Sequence, residues 1–168
     1  MPEDLIFLMG KFEAVLPGGL RYARNHMWCR PLTPTPLPPV LGESGRGEGR
    51  YAFGFTTYAM RLMQDVYFLD WIVGDGTDVQ PGQHIGHIET SKAVSDLFAP
   101  MAGTITGFNK ELLDDPSTIN LDNHGAGWLF EMAGDAGGLL TAAEYHKHLA
   151  DNWEKTQRLI KGKINEDI

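Results

Sequence analysis

The stretch that decides the fold of this 168-residue chain reads ETSKAVSDLFAPMAG and spans residues 89–103. Two short runs that mix apolar and polar residues, 84–90 and 94–99, lie on either side of Ser91-Lys92-Ala93. This pattern predicts a β-hairpin whose tip carries Lys92. The loop is not one of the Asn-Gly or Asp-Gly sequences that favour two-residue turns. A lysine on a tight hairpin projects its flexible stem away from the body of the protein.

The regions around this hairpin alternate between short strands, turns and short helices. Turns are expected at Gly74-Asp75-Gly76 and at Pro81-Gly82, because glycine and proline favour turn conformations. Strands are predicted at 51–55, 65–71, 104–108 and 127–132, and short helices at 56–63 and 109–114.

The two ends of the chain give signals of different strength. Residues 5–16 are compatible with one or two short strands or with an extended arm. Near the other end, Thr141 and Glu144 have the spacing of a capping box, which predicts a helix from about residue 142. Tyr145, Leu149 and Trp153 then recur every four residues and give this helix one apolar stripe to bury. Residues 155–168 either extend the helix or fray.

Residues 31–49 interrupt the regular pattern, since they are rich in proline and then in glycine. Proline lacks an amide proton and glycine costs backbone entropy, so we expect an exposed, mobile insertion here. A surface loop is the simpler interpretation, and a polyproline ligand for a partner domain is the alternative.

Composition narrows the class of protein. The formal net charge of −8 and the lack of a basic cluster argue against nucleic acid as a partner. The single cysteine, Cys29, excludes an internal disulfide framework and fits a reducing compartment. The first apolar run, 5–9, follows acidic residues and is too short for a secretory signal, and no later run has the length of a membrane span. We therefore expect a cytoplasmic protein without membrane partners.

The sequence around Lys92 resembles the lipoylation site of the glycine cleavage H proteins, where a Glu-Ser-Val-Lys-Ala type sequence leads into Ser-Asp and then a Pro-x-x-Gly turn. Gly76 and Gly103 lie where lipoyl domains commonly have turn glycines. The resemblance implies lipoate as a cofactor, attached covalently to Lys92. It also implies Glu89 and Asp96 as residues that contact the lipoyl arm or the attaching enzyme.

The resemblance continues along residues 22–149, outside the proline-rich insertion. The matching segments include Tyr22, His26 and Trp28, then GFTTYA at 54–59, DVYFL at 65–69, and GAGWL at 125–129. It implies a mainly β fold of the barrel-sandwich hybrid type, with short helices and a C-terminal helix. The domain organisation that follows is an N-terminal extension over 1–21, an H-protein-like lipoyl-carrier domain over 22–150 with the insertion at about 31–49, and a helical tail over 151–168.

The resemblance also implies a task and partners. A lipoyl-attaching ligase or transferase would modify Lys92. The arm would then receive an aminomethyl group from glycine decarboxylase, present it to aminomethyltransferase, and be reoxidised by dihydrolipoamide dehydrogenase. The chain would thus be a modified carrier component and not an enzyme, and no Ser-His-Asp or Cys-His spacing suggests a catalytic residue.

Some residues depart from the family pattern. Met27 stands where the family has an acidic residue near the loaded arm, Gln64 replaces a usual glycine, and Asp70-Trp71 replaces a common Leu-Pro. These differences suggest a divergent paralogue. They keep two alternatives open, a lipoyl carrier or lipoate relay for another pathway, and an unmodified interaction module of the same fold. A biotin carrier is a weaker alternative, because such domains usually place methionines beside the lysine.

Two pairs of histidines are candidate metal ligands. His84 and His87 are separated by two residues in the predicted strand, and His146 and His148 are separated by one residue in the predicted helix. On a regular strand, His84 and His87 would point to opposite faces, and a third and fourth ligand are not evident. The sequence therefore predicts no metal site.

Overall fold

The computed structural model describes residues 3–32 and 48–160, and these residues form mainly β-structure. The strands are Leu5–Met9 (β1), Phe12–Leu16 (β2), Arg21–Tyr22 (β3), Met27–Pro31 (β4), Glu48–Phe55 (β5), Val66–Trp71 (β6), Asp78–Val79 (β7), His84–Thr90 (β8), Val94–Phe98 (β9), Gly103–Phe108 (β10) and Phe130–Asp135 (β11). The helices are Thr57–Met63 (α1), Glu111–Asp114 (α2), Thr118–Leu121 (α3) and Ala142–Ile160 (α4), with a 3-10 turn at Ala136–Gly138.

Two antiparallel sheets pack face to face around the main core. One sheet has the strand order β3-β4-β5-β11-β10-β7, and the other has the order β6-β8-β9. Phe53 and Phe130 from the larger sheet are fully buried with Ile85 and Ile88 from the smaller one. Burying a side chain of this size stabilises the fold by about 1.5–3 kcal/mol. This arrangement confirms the predicted barrel-sandwich hybrid.

A second core lies on the other side of the larger sheet. Side chains of the β1-β2 hairpin, β4, β5, α1 and α4 form it, and we call it the second core. Its buried members are Phe7, Met9, Ala14, Leu16, Tyr22, Trp28, Ala52, Tyr58, Leu140, Ala142, Tyr145 and Leu149.

Strand β4 shows how the two cores share one sheet. Met27 and Cys29 point into the main core, whereas Trp28 between them points into the second core. Successive side chains of a strand point to opposite faces, so a strand covered on both faces is apolar throughout. Gly54 on the neighbouring strand is required here, because a Cβ atom at this position would lie 2.4 Å from the Trp28 ring.

Both terminal predictions are confirmed within the described residues. Residues 5–16 form the β1-β2 hairpin, which packs on α4. The capping box at the start of α4 is present, since the Thr141 amide donates to Glu144 Oε1 over 2.9 Å and the Glu144 amide donates to Thr141 Oγ1 over 3.2 Å. Helix α4 is continuous across residue 150, where the sequence predicted a domain boundary; the division into domains remains a prediction.

Two local predictions need correction or limits, and one short helix was missed. The last core strand begins at Phe130 and not at Gly127, because Gly127 and Trp128 close a loop through bonds to the carbonyls of Asp122 and Gly125. Helix α3 was not predicted. The insertion expected at 31–49 lies mostly outside the described residues, and both of its ends, Pro31 and 48–49, belong to strands. In the part of the chain that the structure covers, no helix is long and apolar enough to cross a membrane.

Candidate functional site

Lys92 lies in the loop that joins β8 to β9, as the sequence predicted. The two strands pair antiparallel, and Glu89 opposite Val94 is the last pair before the loop. The Thr90 amide donates to the Ala93 carbonyl over 2.9 Å and closes the turn. Residues 91–93 therefore form the tip of the hairpin.

The Thr90 side chain holds this loop in place. Its hydroxyl oxygen accepts hydrogen bonds from the amides of Lys92 and Ala93, at 3.2 and 3.3 Å. None of the three loop residues has a positive φ, so the turn does not need glycine. A side-chain hydroxyl thus replaces the Asn-Gly signal that is absent from the sequence.

The loop is also tied to the neighbouring strand. The Ser91 amide donates to the Asp65 carbonyl over 2.9 Å, and the Asp65 amide donates to Ser91 Oγ over 3.2 Å. Asn120 in α3 supports the same junction, since its side chain accepts from the Val66 amide and donates to the Gln64 carbonyl. The tip is therefore fixed from two sides.

Gln64, which precedes this junction, has a φ of 64°. Left-handed backbone of this kind favours glycine, because a Cβ atom crowds the adjacent carbonyl. Gln64, which stands where the family has glycine, therefore retains a backbone conformation that suits glycine.

The surroundings of Lys92 leave its amine accessible. Lys92 is partly exposed, and its neighbours Ser91 and Ala93 are exposed. Among the described residues, no carboxylate lies within 4.0 Å of its ammonium. Phe68, Glu89 and Val94 form a cross-strand row beside the loop, and both apolar members are exposed, at 47% and 70%. The tip therefore combines a free amine with an apolar surface and one carboxylate.

The structure separates the other two predicted contact residues. Glu89 is exposed and lies one strand pair from the loop. Asp96 lies further down the hairpin, opposite His87, and its carboxylate faces two imidazoles. Asp96 Oδ1 is 3.4 Å from His84 Nε2 and 3.9 Å from His87 Nε2. Glu89 is thus close to the tip, whereas Asp96 already has local partners.

The expectation that His84 and His87 point to opposite faces is wrong. The register of β8 against β9 shifts between His84 and Gly86, which is the mark of a β-bulge. One extra residue changes the alternation of the strand, so both imidazoles lie on the same face. Their ring centroids are 4.8 Å apart.

Met27 is buried on β4, and His26, which directly precedes it, is half-buried. Met27 is 1% exposed and packs in the main core. His26 Nδ1 is 2.9 Å from the Tyr145 hydroxyl, which is 3.0 Å from Thr56 Oγ1. Burial lowers the pKa of His26 to about 4, and nearby His148 adds to this shift. His26 is thus a neutral structural residue that links β4, α1 and α4.

Comparisons with known proteins agree with this geometry. Residues 44–152 match the sequence model of the glycine cleavage H-protein family. The glycine cleavage system H protein of Pseudoalteromonas atlantica is 34% identical over 140 residues, which cover 81% of this chain and 97% of that protein. The H protein of Nocardia farcinica is 36% identical over 140 residues, which cover 79% of this chain and 95% of that protein.

A solved structure gives the same result. The crystal structure of a glycine cleavage system H protein from Mycobacterium marinum superposes with a TM-score of 0.63 at 34% sequence identity. The superposition covers 81% of this chain and 98% of that one. Sequence and fold thus agree over nearly the whole length of the relatives, and the chain belongs to the glycine cleavage H-protein family.

Proposed function

We propose that this chain is a lipoyl carrier of glycine cleavage and that lipoate is attached to Lys92. The attachment forms an amide bond between Lys92 Nζ and the carbonyl carbon of an activated lipoyl donor. The ammonium loses one proton to become the attacking amine, the nitrogen loses a second proton as the amide forms, and the activating group of the donor leaves. A lipoyl-attaching ligase or transferase would supply both the donor and the base.

The observation that carries this proposal is the position of Lys92 at a fixed hairpin tip without an ion-pair partner among the described residues. A modifying enzyme selects such a lysine by its presentation, because the side chain extends from a backbone that is already ordered. Six hydrogen bonds through Thr90, Ser91 and Asp65 provide that order. Ordering the loop before binding reduces the entropy that the ligase must remove.

The surface around the tip supports recognition by a partner protein. Phe68 and Val94 expose apolar area next to Glu89. Exposed apolar side chains of this kind are typical of protein contact surfaces. A single carboxylate among them fixes the orientation of a partner that carries a complementary positive charge. We assign Glu89 to the contact with the ligase or with the arm. Asp96 can make the same contact only if its carboxylate moves away from the imidazoles of His84 and His87.

The carrier acts with three further enzymes. Lipoate held by Lys92 would supply a pair of sulfur atoms for the transfer of an aminomethyl unit from glycine decarboxylase to aminomethyltransferase, with dihydrolipoamide dehydrogenase as the enzyme that restores their disulfide. The part of this chain is to hold Lys92 in a defined place and to expose a docking surface to each partner. We therefore regard the chain as a carrier component without catalytic residues of its own.

The intact mass of the protein purified from its native cell tests the attachment. We expect one lipoyl increment, located on Lys92 by peptide mapping. Lys92→Arg keeps charge and length and should abolish the increment without changing the melting temperature. Lys110→Arg, an exchange at another exposed lysine, serves as the control and should remain modified. An unmodified wild-type chain, or a modified Lys92→Arg variant, would contradict the proposal.

A second candidate function is a lipoyl carrier for another pathway, and the position of Met27 favours it. A buried thioether cannot pair with the ammonium of a loaded arm as a carboxylate would. Reconstitution of glycine cleavage from purified partner enzymes and the lipoylated chain separates the two functions. Turnover comparable to that of the Nocardia farcinica protein supports glycine cleavage. If the Nocardia farcinica protein supports turnover and this lipoylated chain does not, the other pathway is supported.

A further inference from the structure

A group of ionisable side chains lies on the exposed face of the three-stranded sheet, below the Lys92 loop. Asp70, His87 and Asp96 form one cross-strand row over β6, β8 and β9. The bulge in β8 adds His84 to the same face. We call His84, His87, Asp96 and Asp70 the histidine cluster.

The members of the histidine cluster are close enough to share one ligand. One ligand atom each from His84, His87 and Asp96 can be chosen so that all three lie within 4.8 Å of one another. The side chains are 36%, 38% and 54% exposed, so an ion in solution reaches them. In tetrahedral zinc sites, metal–ligand bonds of about 2.0–2.2 Å place neighbouring ligand atoms roughly 3.3 Å apart. The distance of 3.4 Å between His84 Nε2 and Asp96 Oδ1 already meets this requirement.

We propose that the histidine cluster binds a divalent transition-metal cation of the zinc class through His84, His87 and Asp96. Two imidazoles and one carboxylate form a donor set that suits such ions and leaves a fourth position for water. The movement needed at His87 is small, because the distance from its Nε2 to Asp96 Oδ1 has to decrease from 3.9 Å to roughly 3.3 Å. This site is separate from Lys92 and does not depend on lipoylation.

Asp70 completes the arrangement as a positioning residue. His87 Nδ1 is 2.9 Å from Asp70 Oδ1, so the proton of the neutral ring is on Nδ1 and is donated to the carboxylate. The Nε2 lone pair then faces Asp96 and the metal position. Metal-bound histidines commonly donate their second ring N–H to a carboxylate, which fixes the tautomer.

Charge also favours a dication at this place. With neutral imidazoles, Asp70 and Asp96 bring two negative charges, and one divalent ion balances them. Within residues 3–32 and 48–160, neither carboxylate has a lysine or arginine partner within 4.0 Å. Binding costs one hydrogen bond, since His84 Nε2 now donates its proton to the Gly86 carbonyl over 2.9 Å; for Nε2 to bind the metal, the neutral ring must carry its proton on Nδ1 instead.

Calorimetric titration of the untagged, chelator-treated full chain with Zn²⁺ tests the proposal. We expect one ion per chain. His87→Gln and Asp96→Asn should each weaken the affinity at least a hundredfold, and Asp70→Asn should weaken it ten- to a hundredfold. His148→Gln removes a partly exposed histidine from α4 and should leave the affinity unchanged. Lys92→Arg should also bind normally, which separates this site from the proposed carrier function.

Nuclear magnetic resonance of the ring nitrogens gives a second readout. Zn²⁺ should shift the Nε2 signals of His84 and His87, whereas Nδ1 of His87 should keep its proton. In Asp70→Asn, a neutral amide replaces the carboxylate, so the Nδ1-protonated tautomer of His87 should lose its preference. Zn²⁺ binding that persists at full affinity in the His84→Gln/His87→Gln double variant would overturn the proposal. So would the absence of binding at micromolar Zn²⁺ to the wild-type chain.

Discussion

The hairpin that carries Lys92 differs from the second core in the exposure of its polar side chains and in the partners that hold them. In the hairpin, the side chains that can be modified or bind ligands are exposed or half-exposed. Hydrogen bonds to nearby residues of the smaller sheet hold them in place. In the second core, Tyr22, Trp28 and Tyr145 are fully buried, and the polar atoms of Trp28 and Tyr145 bond to partners far along the chain. The first region presents groups, and the second fixes the frame that holds them.

This difference has an energetic consequence. Changes in the second core remove buried contacts, so they should alter the free energy of unfolding of the whole domain. Changes at the hairpin tip remove exposed hydrogen bonds, so they should alter local order and recognition with little effect on global stability. The following experiments test whether stability and function are separated in this way.

Leu149→Ala should have the largest effect on stability. Leu149 is 1% exposed in the second core, and the cavity left behind should cost about 2–5 kcal/mol of unfolding free energy. Urea denaturation measures the loss. Lipoylation of Lys92 at low temperature should persist.

The control for this variant is Leu121→Ala, because Leu121 is 82% exposed on α3 and should change the unfolding free energy by less than about 0.5 kcal/mol. Equal losses in the two variants would show that α4 does not anchor the fold through the second core.

Acid should destabilise the protein through His26. The folded pKa of about 4 lies below the ordinary value of 6.5, so the unfolded chain binds a proton that the folded chain excludes. This stability is fully present above pH 6.5 and is lost as the pH falls towards 4, by about 3 kcal/mol. Burial also lowers the pKa of His124, which adds in the same direction. Urea denaturation at several pH values measures how the unfolding free energy changes with pH.

His26→Asn tests the assignment, since asparagine tolerates the φ of 70° and carries no titrating group. The acid-dependent loss should become smaller in this variant. His84→Gln, on the hairpin side of the molecule, should retain it because His26 is intact. A slope that is unchanged in His26→Asn would place the acid sensitivity elsewhere.

Thr141→Ala should have an intermediate effect. It removes the oxygen that accepts from the Glu144 amide at the start of α4, which should cost about 1 kcal/mol. The thermal unfolding midpoint should fall, whereas Thr141→Ser should restore it because the hydroxyl is retained. A stability of Thr141→Ala equal to that of Thr141→Ser would mean that the capping box does not stabilise α4.

Thr90→Val should have the smallest effect on stability and a visible effect on the tip. It keeps the shape of the side chain but removes the acceptor for the amides of Lys92 and Ala93. We expect a change of at most about 1 kcal/mol in unfolding free energy. Amide hydrogen exchange at residues 92 and 93 should become faster, and the rate of lipoylation should fall several-fold.

Thr104→Val is the matched control, because the Thr104 hydroxyl bonds to Asp78 on a different pair of strands. Its hydrogen exchange at residues 92 and 93 and its lipoylation rate should equal those of the wild type. A Thr90→Val variant that behaves in the same way would show that the hydroxyl does not order the loop.

Several features were predictable because they depend on residues close in sequence. The hairpin, the capping box and the Gly76 and Gly82 turns arise from local backbone preferences, and both glycines have positive φ values. The family pattern around Lys92 is equally local, so it identified the site before any contact was known. Helix α3 escaped prediction because its four residues carry no apolar periodicity, although Pro116 shortly before it is a helix-start signal.

The remaining features depend on contacts between distant segments. The bulge at His84 arises from how β8 pairs with β9. Gly86 in HIGHIET is compatible with a bulge, but a glycine inside a strand equally indicates a close approach of another chain segment, here Asp70 and Trp71. The bond between His26 and Tyr145 joins residues 119 positions apart, and it is this packing that lowers the pKa of the imidazole.

The sequence by itself determined the Lys92 hairpin and the start of α4, because strand alternation and capping act over a few residues, and its resemblance to the H-protein family implied the fold class. Only the tertiary structure decided which face each strand buries, how the β1-β2 hairpin and α4 enclose a second core, and which imidazoles meet at Asp96. The physical reason is that burial and strand register are properties of the packed chain. A single extra residue in one strand reverses the direction of every side chain beyond it.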